Sequence, residues 1–184
     1  MDTLYETKQL FGGAMQAELP KTASDLSKVV PVPDNQEVFT ETICDASMIL
    51  ELLQSVSSED QTAINTIFED LASANEANTP ELNSIDSVVP LTQEEVPNIS
   101  SEHTKFLLRG KQLIQPQRGA QREQVLILLG LVRLAGVSTD LVFTINLPQK
   151  ARSQEEMQRA QETMEKALFQ FLRTLRINDM SLFG

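Results

Sequence analysis

Apolar residues recur with a period of two in some stretches of the chain and near 3.6 in others, and the period predicts the elements. Leu10, Ala14 and Leu19 lie in a stretch that reads as a first strand, with Gly12-Gly13 marking a bulge or a close backbone approach. Residues 23–32 are turn-rich, and Pro31 and Pro33 push the residues before them toward extended geometry. Glu37 to Ile43 alternates, with Val38, Thr40 and Thr42 on one side and Glu37, Phe39, Glu41 and Ile43 on the other, which predicts a second strand. Ile49, Leu52, Leu53 and Val56 then stand at i, i+3, i+4 and i+7, so Asp45 is read as the N-cap of a short helix. On that helix Ser47, Glu51, Gln54 and Ser58 form the wet face, with Glu51 and Gln54 one turn apart.

Ser58-x-x-Gln61 fits a capping box for a second helix, whose apolar stripe is Ile64, Ile67, Phe68 and Leu71. Residues 85–91 and 106–115 read as strands, separated by a polar stretch from Thr92 to Glu102. Gln124 to Leu134 is almost continuously apolar, and a strand apolar on both faces has to be covered on both faces. A short connection leads to Leu141–Leu147, a spacing that suits an antiparallel hairpin closed by Pro148. Ser153-x-x-Glu156 is another capping box and opens a last helix with a stripe of Met157, Ala160, Met164, Leu168, Phe171 and Leu175. Leu182 and Phe183 in the closing residues are apolar enough to dock on the body. The fold class expected is α+β: a mostly antiparallel sheet with helices on both faces, formed by one domain over residues 1–184.

Charge changes this picture more than composition does. The 184 residues carry a formal net charge of −11, and 41% are hydrophobic, in keeping with a globular core. Residues 29–104 hold fifteen Asp and Glu and no Lys or Arg, whereas residues 105–184 hold twelve basic and seven acidic residues, a balance of +5. A folded segment of one sign projects a negative field that attracts a basic surface and repels nucleic acid and anionic membrane. Neither is therefore expected as a partner. The longest apolar run is far short of a bilayer span, and Met1–Leu10 has no apolar core of a signal peptide. One cysteine excludes an internal disulfide and a cysteine-based zinc site, and suits a reducing compartment.

Catalytic chemistry finds little support. His103 is the single histidine and has no triad partners nearby in sequence, so it is read as a loop residue. Cys44, beside Asp45, is read as a buried structural thiol. Gly12-Gly13 and Arg109-Gly110-Lys111-Gln112 both lack the remainder of a phosphate-binding loop. No metal-ligand spacing is present, and no catalytic residue, metal or cofactor is expected. What remains is the acidic face. Such a face commonly serves solubility alone.

Phe11-Gly12-Gly13-Ala14, Leu19-Pro20 and Val32-Pro33-Asp34-Asn35-Gln36-Glu37-Val38-Phe39 give the face a more specific reading. They resemble the N-terminal signature of the Mog1 family, known as Ran guanine nucleotide release factors. The resemblance extends, in order, to Ser47–Leu53, Phe68-Glu69-Asp70, Thr139-Asp140-Leu141-Val142 and Ser181-Leu182-Phe183-Gly184. It implies the α/β/α sandwich of the Mog1/PsbP type. It also implies a non-enzymatic, monomeric regulator, found in nucleus and cytoplasm, that binds the small GTPase Ran, promotes release of its guanine nucleotide and supports nuclear import. By the same resemblance, Asp34, Glu37 and Glu51 match acidic residues that contribute to Ran binding, and Arg133 matches a further family position. The family commonly carries a second acid where this chain has Gln54. The alternatives are an adaptor that turns the acidic face to another basic protein without releasing nucleotide, and a ligand-binding protein or enzyme with a deep polar pocket.

Overall fold

The computed structural model describes residues 4–56 and 59–184. Its centre is a seven-stranded sheet in which every neighbouring pair is antiparallel. In chain order the strands of the protein are β1 (Tyr5–Leu10), β2 (Met15–Pro20), β3 (Ala23–Asp25), β4 (Gln36–Glu41), β5 (Ala46–Gln54), β6 (Asn83–Pro90), β7 (Thr104–Ile114), β8 (Glu123–Leu134), β9 (Thr139–Pro148) and β10 (Arg176–Ile177). The large sheet runs β3-β4-β5-β9-β8-β7-β6, and β1-β2-β10 form a small second sheet. Among the described residues two α-helices, α1 (Asp60–Ala74) and α2 (Gln154–Thr174), complete the fold, with a 3-10 turn at Met180–Phe183.

β8 shows why the layers form. Val125, Ile127, Leu129 and Leu131 point into one apolar cluster with Ile64, Ile67 and Phe68 of α1. Leu126, Leu128, Val132 and Leu134 point into the other, with Met164, Leu168, Phe171 and Leu172 of α2 and the inner residues of β1–β2. Period-two alternation in which both sets are apolar requires cover on both faces, and one helix lies on each. The hairpin expected after β8 is present: Leu134 pairs with Thr139, so four residues make the turn. Gly110 of β7 is where α1 comes closest, since a Cβ there would stand 2.8 Å from the Phe68 ring and 2.8 Å from the Ser84 carbonyl oxygen. At α2 the capping box is complete, with Ser153 Oγ accepting from the Glu156 N–H and the Glu156 carboxylate accepting from the Ser153 N–H. For α1, the N-cap is Glu59; Ser58, the expected cap, lies outside the described residues.

Residues 23–25, read as part of a turn-rich connection, form edge strand β3 paired with β4, and two longer elements also differ from the sequence reading. The stretch read as one strand from Leu10 to Leu19 is a hairpin. Phe11, Gly12 and Gly13 take φ of 48°, 65° and 94°, and three consecutive left-handed residues reverse the chain rather than bulge it. The short helix expected after Asp45 is strand β5. Asp45 takes a φ of 54° in the β4–β5 turn and caps no helix. Ala46, Met48 and Leu50 are buried while Ser47, Ile49 and Glu51 are half-buried, a period of two hidden inside an apolar run. The strand is decided by its neighbours: β4 and β9 supply ladder partners on both sides of β5, from Ser47–Asn146 to Gln54–Thr139.

Candidate partner-binding surface

Antiparallel register carries the five residues singled out by resemblance to one end of the large sheet. Asp34 is at the tip of the turn that precedes β4, where the Gln36 N–H donates to the Pro33 carbonyl at 3.0 Å. Asn35 fastens that turn to β5: its side-chain amide donates to the Leu52 carbonyl at 3.0 Å, and its own carbonyl accepts from the Leu52 N–H at 2.9 Å. The Asp34 side chain is thus exposed on a pinned backbone. Glu51 pairs with Gln36 on one side and Val142 on the other, and its Oε1 accepts from Gln36 Nε2 at 2.8 Å. Gln54 is exposed at the last rung of β5.

The strand geometry separates residues that a helix would have placed side by side. Glu51 and Gln54 are three apart on β5, so they point to opposite faces of the sheet. Glu51 lies on the α1 face with Leu53 and Arg133; Gln54 lies on the α2 face with Leu50 and Leu52. Glu37, opposite Leu50, is also on the α2 face, and its Oε1 accepts from the Phe11 N–H at 2.5 Å. The expected wet face shared by Glu51 and Gln54 therefore does not exist.

Arg133 is no surface charge. Its side chain is 12% exposed and its Nε donates to Oδ1 of Asp140, directly across the hairpin and 1% exposed, at 3.1 Å. Nη1 reaches Asp60 Oδ1 in the first turn of α1 at 3.0 Å, and Nη2 reaches the Val56 carbonyl at 2.5 Å. Ser55 Oγ donates to Asp140 Oδ1 at 2.8 Å, and Thr104 Oγ1 to Asp60 Oδ2 at 2.7 Å. This network fixes the start of α1 against β8 and β9. Asp60 and Asp140 were not among the residues singled out, although a cross-hairpin Arg–Asp pair follows once the register is known.

Several other groups prove structural. Glu41 is 2% exposed and accepts from Thr22 Oγ1 at 2.5 Å and from the Cys44 N–H at 2.7 Å. Nδ1 of His103 accepts from the Ala135 N–H at 3.0 Å, tying its loop to the β8–β9 hairpin. Lys105, 5% exposed, donates to Gln93 Oε1 at 3.0 Å and to the Ser100 carbonyl at 2.9 Å, clamping the long loop before β7; burial pushes its pKa down. Cys44 is buried, and burial first, then the Glu41 carboxylate, raise the pKa of its thiol. Since the thiolate is the reactive form, alkylation at pH 8 is expected to run at least about tenfold slower in the folded protein than in denaturant. Equal rates by mass spectrometry would overturn that reading.

The loops that close this end of the sheet also carry exposed Glu59, Glu94 and Glu102. Among the described residues no group of three His, Cys, Asp or Glu is placed to hold a metal ion, and no helix is long and apolar enough to cross a membrane. Fold and surface together define an antiparallel α/β/α sandwich with a rigid, acid-edged sheet end. A family model described as Ran-interacting Mog1 protein matches residues 8–148. The chain belongs to the Mog1 family. It is 36% identical over 140 residues to the human Ran guanine nucleotide release factor, covering 76% of this chain and 74% of that one. The zebrafish (Danio rerio) protein of the same name is 32% identical over 185 residues, covering 97% and 100%. Among solved structures, the Saccharomyces cerevisiae Ran-binding protein Mog1p aligns over 98% of each chain with a TM-score of 0.76 at 23% identity, a likeness of fold.

Proposed function

We propose that this protein binds the GTPase Ran as a monomer, promotes release of its guanine nucleotide and supports nuclear protein import, working between cytoplasm and nucleus. The observation that carries the reading is the pinned acidic sheet end, with Asp34, Glu37 and Glu51 within a few rungs of one another, on a chain of the Mog1 family. A binder expels nucleotide only by preferring the nucleotide-free GTPase, and nucleotide must then weaken the binder by the same factor. Carboxylates on a rigid backbone can do this by competing with phosphate for a basic pocket. Asp34 and Glu51 are the direct contacts in this reading, with Gln54 a neutral neighbour on the far face. Arg133 supports the surface from within.

The test is release of a fluorescent GTP analogue from purified Ran, with and without this protein. Release is expected to accelerate, and the acceleration to shrink between low and moderate salt as exposed charges are screened. Glu51→Lys is expected to weaken Ran binding by about tenfold with the fold intact, since a reversed charge at an interface costs a kcal/mol or more. If Ran is neither bound nor emptied, the release-factor reading fails. Capture of another basic protein instead would then favour the adaptor.

A further inference from the structure

Glu37 has a job that its charge alone does not explain. It stands on β4, yet its Oε1 holds the backbone N–H of Phe11, 26 residues earlier, at 2.5 Å. Phe11 opens the β1–β2 turn in a left-handed conformation that side-chain-bearing residues rarely adopt. The same turn has further anchors. The Ala14 N–H donates to the Phe11 carbonyl at 3.2 Å, Asn178 Nδ2 donates to the Gly13 carbonyl at 3.1 Å, and the backbone N–H groups of Asn178 and Asp179 donate to the Ala14 carbonyl at 2.8 and 3.1 Å. The Phe11 ring packs on the α2-side core. Between these fixings Gly12 is exposed, and a Cβ built on it would meet nothing within 4 Å. The turn is therefore a rigid piece of bare backbone facing solvent. The β-turn that carries Asp34 begins at Pro33, four residues before Glu37.

We infer that Glu37 is a positioning residue: its carboxylate fixes the Phe11–Gly13 turn, and the backbone of that turn is what meets the partner GTPase. The inference rests on the Ran reading above and deepens it. A carboxylate engaged with a half-buried backbone N–H is poorly placed to offer its full charge outward, whereas Gly12 in the turn it holds offers close backbone approach without a side chain in the way.

Three variants separate this from direct charge contact. Glu37→Gln removes the charge and keeps an oxygen acceptor for the Phe11 N–H. Glu37→Ala removes both. Gly12→Asn leaves Glu37 alone and adds a side chain at the turn; asparagine tolerates positive φ, and the space is open. Two readouts are taken on the full chain: hydrogen exchange of the Phe11 amide without Ran, and affinity for nucleotide-free Ran. The expected result is that Glu37→Gln keeps Phe11 protection and stays within about threefold of the parent affinity. Glu37→Ala is expected to lose protection and about tenfold or more in affinity, the scale of a hydrogen bond to a charged group. Gly12→Asn should keep the fold and protection and still bind about tenfold more weakly. If Glu37→Gln binds as poorly as Glu37→Ala while the Phe11 amide stays protected, the charge itself is the contact and the inference is overturned. Unchanged affinity in Gly12→Asn overturns the turn's role. If the parent protein does not bind Ran at all, the Ran reading falls. The exchange comparison of Glu37→Gln with Glu37→Ala then still decides whether Glu37 fixes the turn.

Discussion

Arg133→Ala is expected to lower the unfolding free energy by about 3–5 kcal/mol, the cost of breaking a buried ion pair from one side. The magnitude follows from what is left behind. Asp140 is 1% exposed and would be left with Ser55 Oγ as a side-chain donor, and the Val56 carbonyl would lose the Nη2 contact. The Arg133–Asp60 contact adds little, because Asp60 is 48% exposed and solvent screens it. Asp60→Asn should therefore cost under about 1 kcal/mol. Urea denaturation followed by circular dichroism measures both, with a lower midpoint at unchanged slope as the mark of lost stability. The same experiment assigns the residue. If Arg133→Ala folds with parental stability and only Ran binding suffers, Arg133 is a contact residue and the internal network is not what holds this sheet end.

Phe171→Ala is the second large effect, expected at about 3–5 kcal/mol. Phe171 is 1% exposed on α2, and its ring stacks on Phe143 of β9 with centroids 3.8 Å apart and planes 13° from parallel. Truncation removes the transfer term, opens a cavity where helix meets sheet, and forfeits the aromatic pair, worth about 1 kcal/mol of that total. Phe171→Leu refills much of the space and should recover more than half of the loss. Denaturation midpoints of the two variants check this; equal losses would mean that the site collapses around the truncation or that the leucine does not fit. β2 rests on α2 and carries one arm of the Phe11–Gly13 turn, so destabilising this helix threatens the proposed contact surface without touching it.

Much of the fold was legible in the residues. The Ser153 and Glu156 pair marks the start of α2, and its 3.6-period stripe from Met157 to Phe171 is the buried one. The two-faced run of β8, followed after a short turn by the apolar residues of β9, forced a hairpin covered on both sides. These signals are local: a cap, a period and a turn length each act over a few residues, so they can be read in one dimension. The block from Pro33 to Glu37 opens the stretch in which Asp and Glu collect without any Lys or Arg, which is also a local property.

Tertiary structure decided the rest, because the deciding partners are far away in sequence. Met48 to Leu53 fits a helical stripe and a buried strand equally well, and only ladders from β4 and β9 make it a strand. That choice puts Glu51 and Gln54 on opposite faces. The left-handed turn at Phe11 depends on a carboxylate 26 residues on and an asparagine near the other end of the chain. Arg133 stood out in the sequence only as a match to a family position; β8–β9 register sets it against Asp140, and the packing of α1 brings Asp60 to it. By itself the sequence determined which residues seek burial and where charge of one sign collects. Which carboxylates remain free for a partner, and which are consumed in holding the surface together, depends on hydrogen-bond partners that only the folded chain brings within reach.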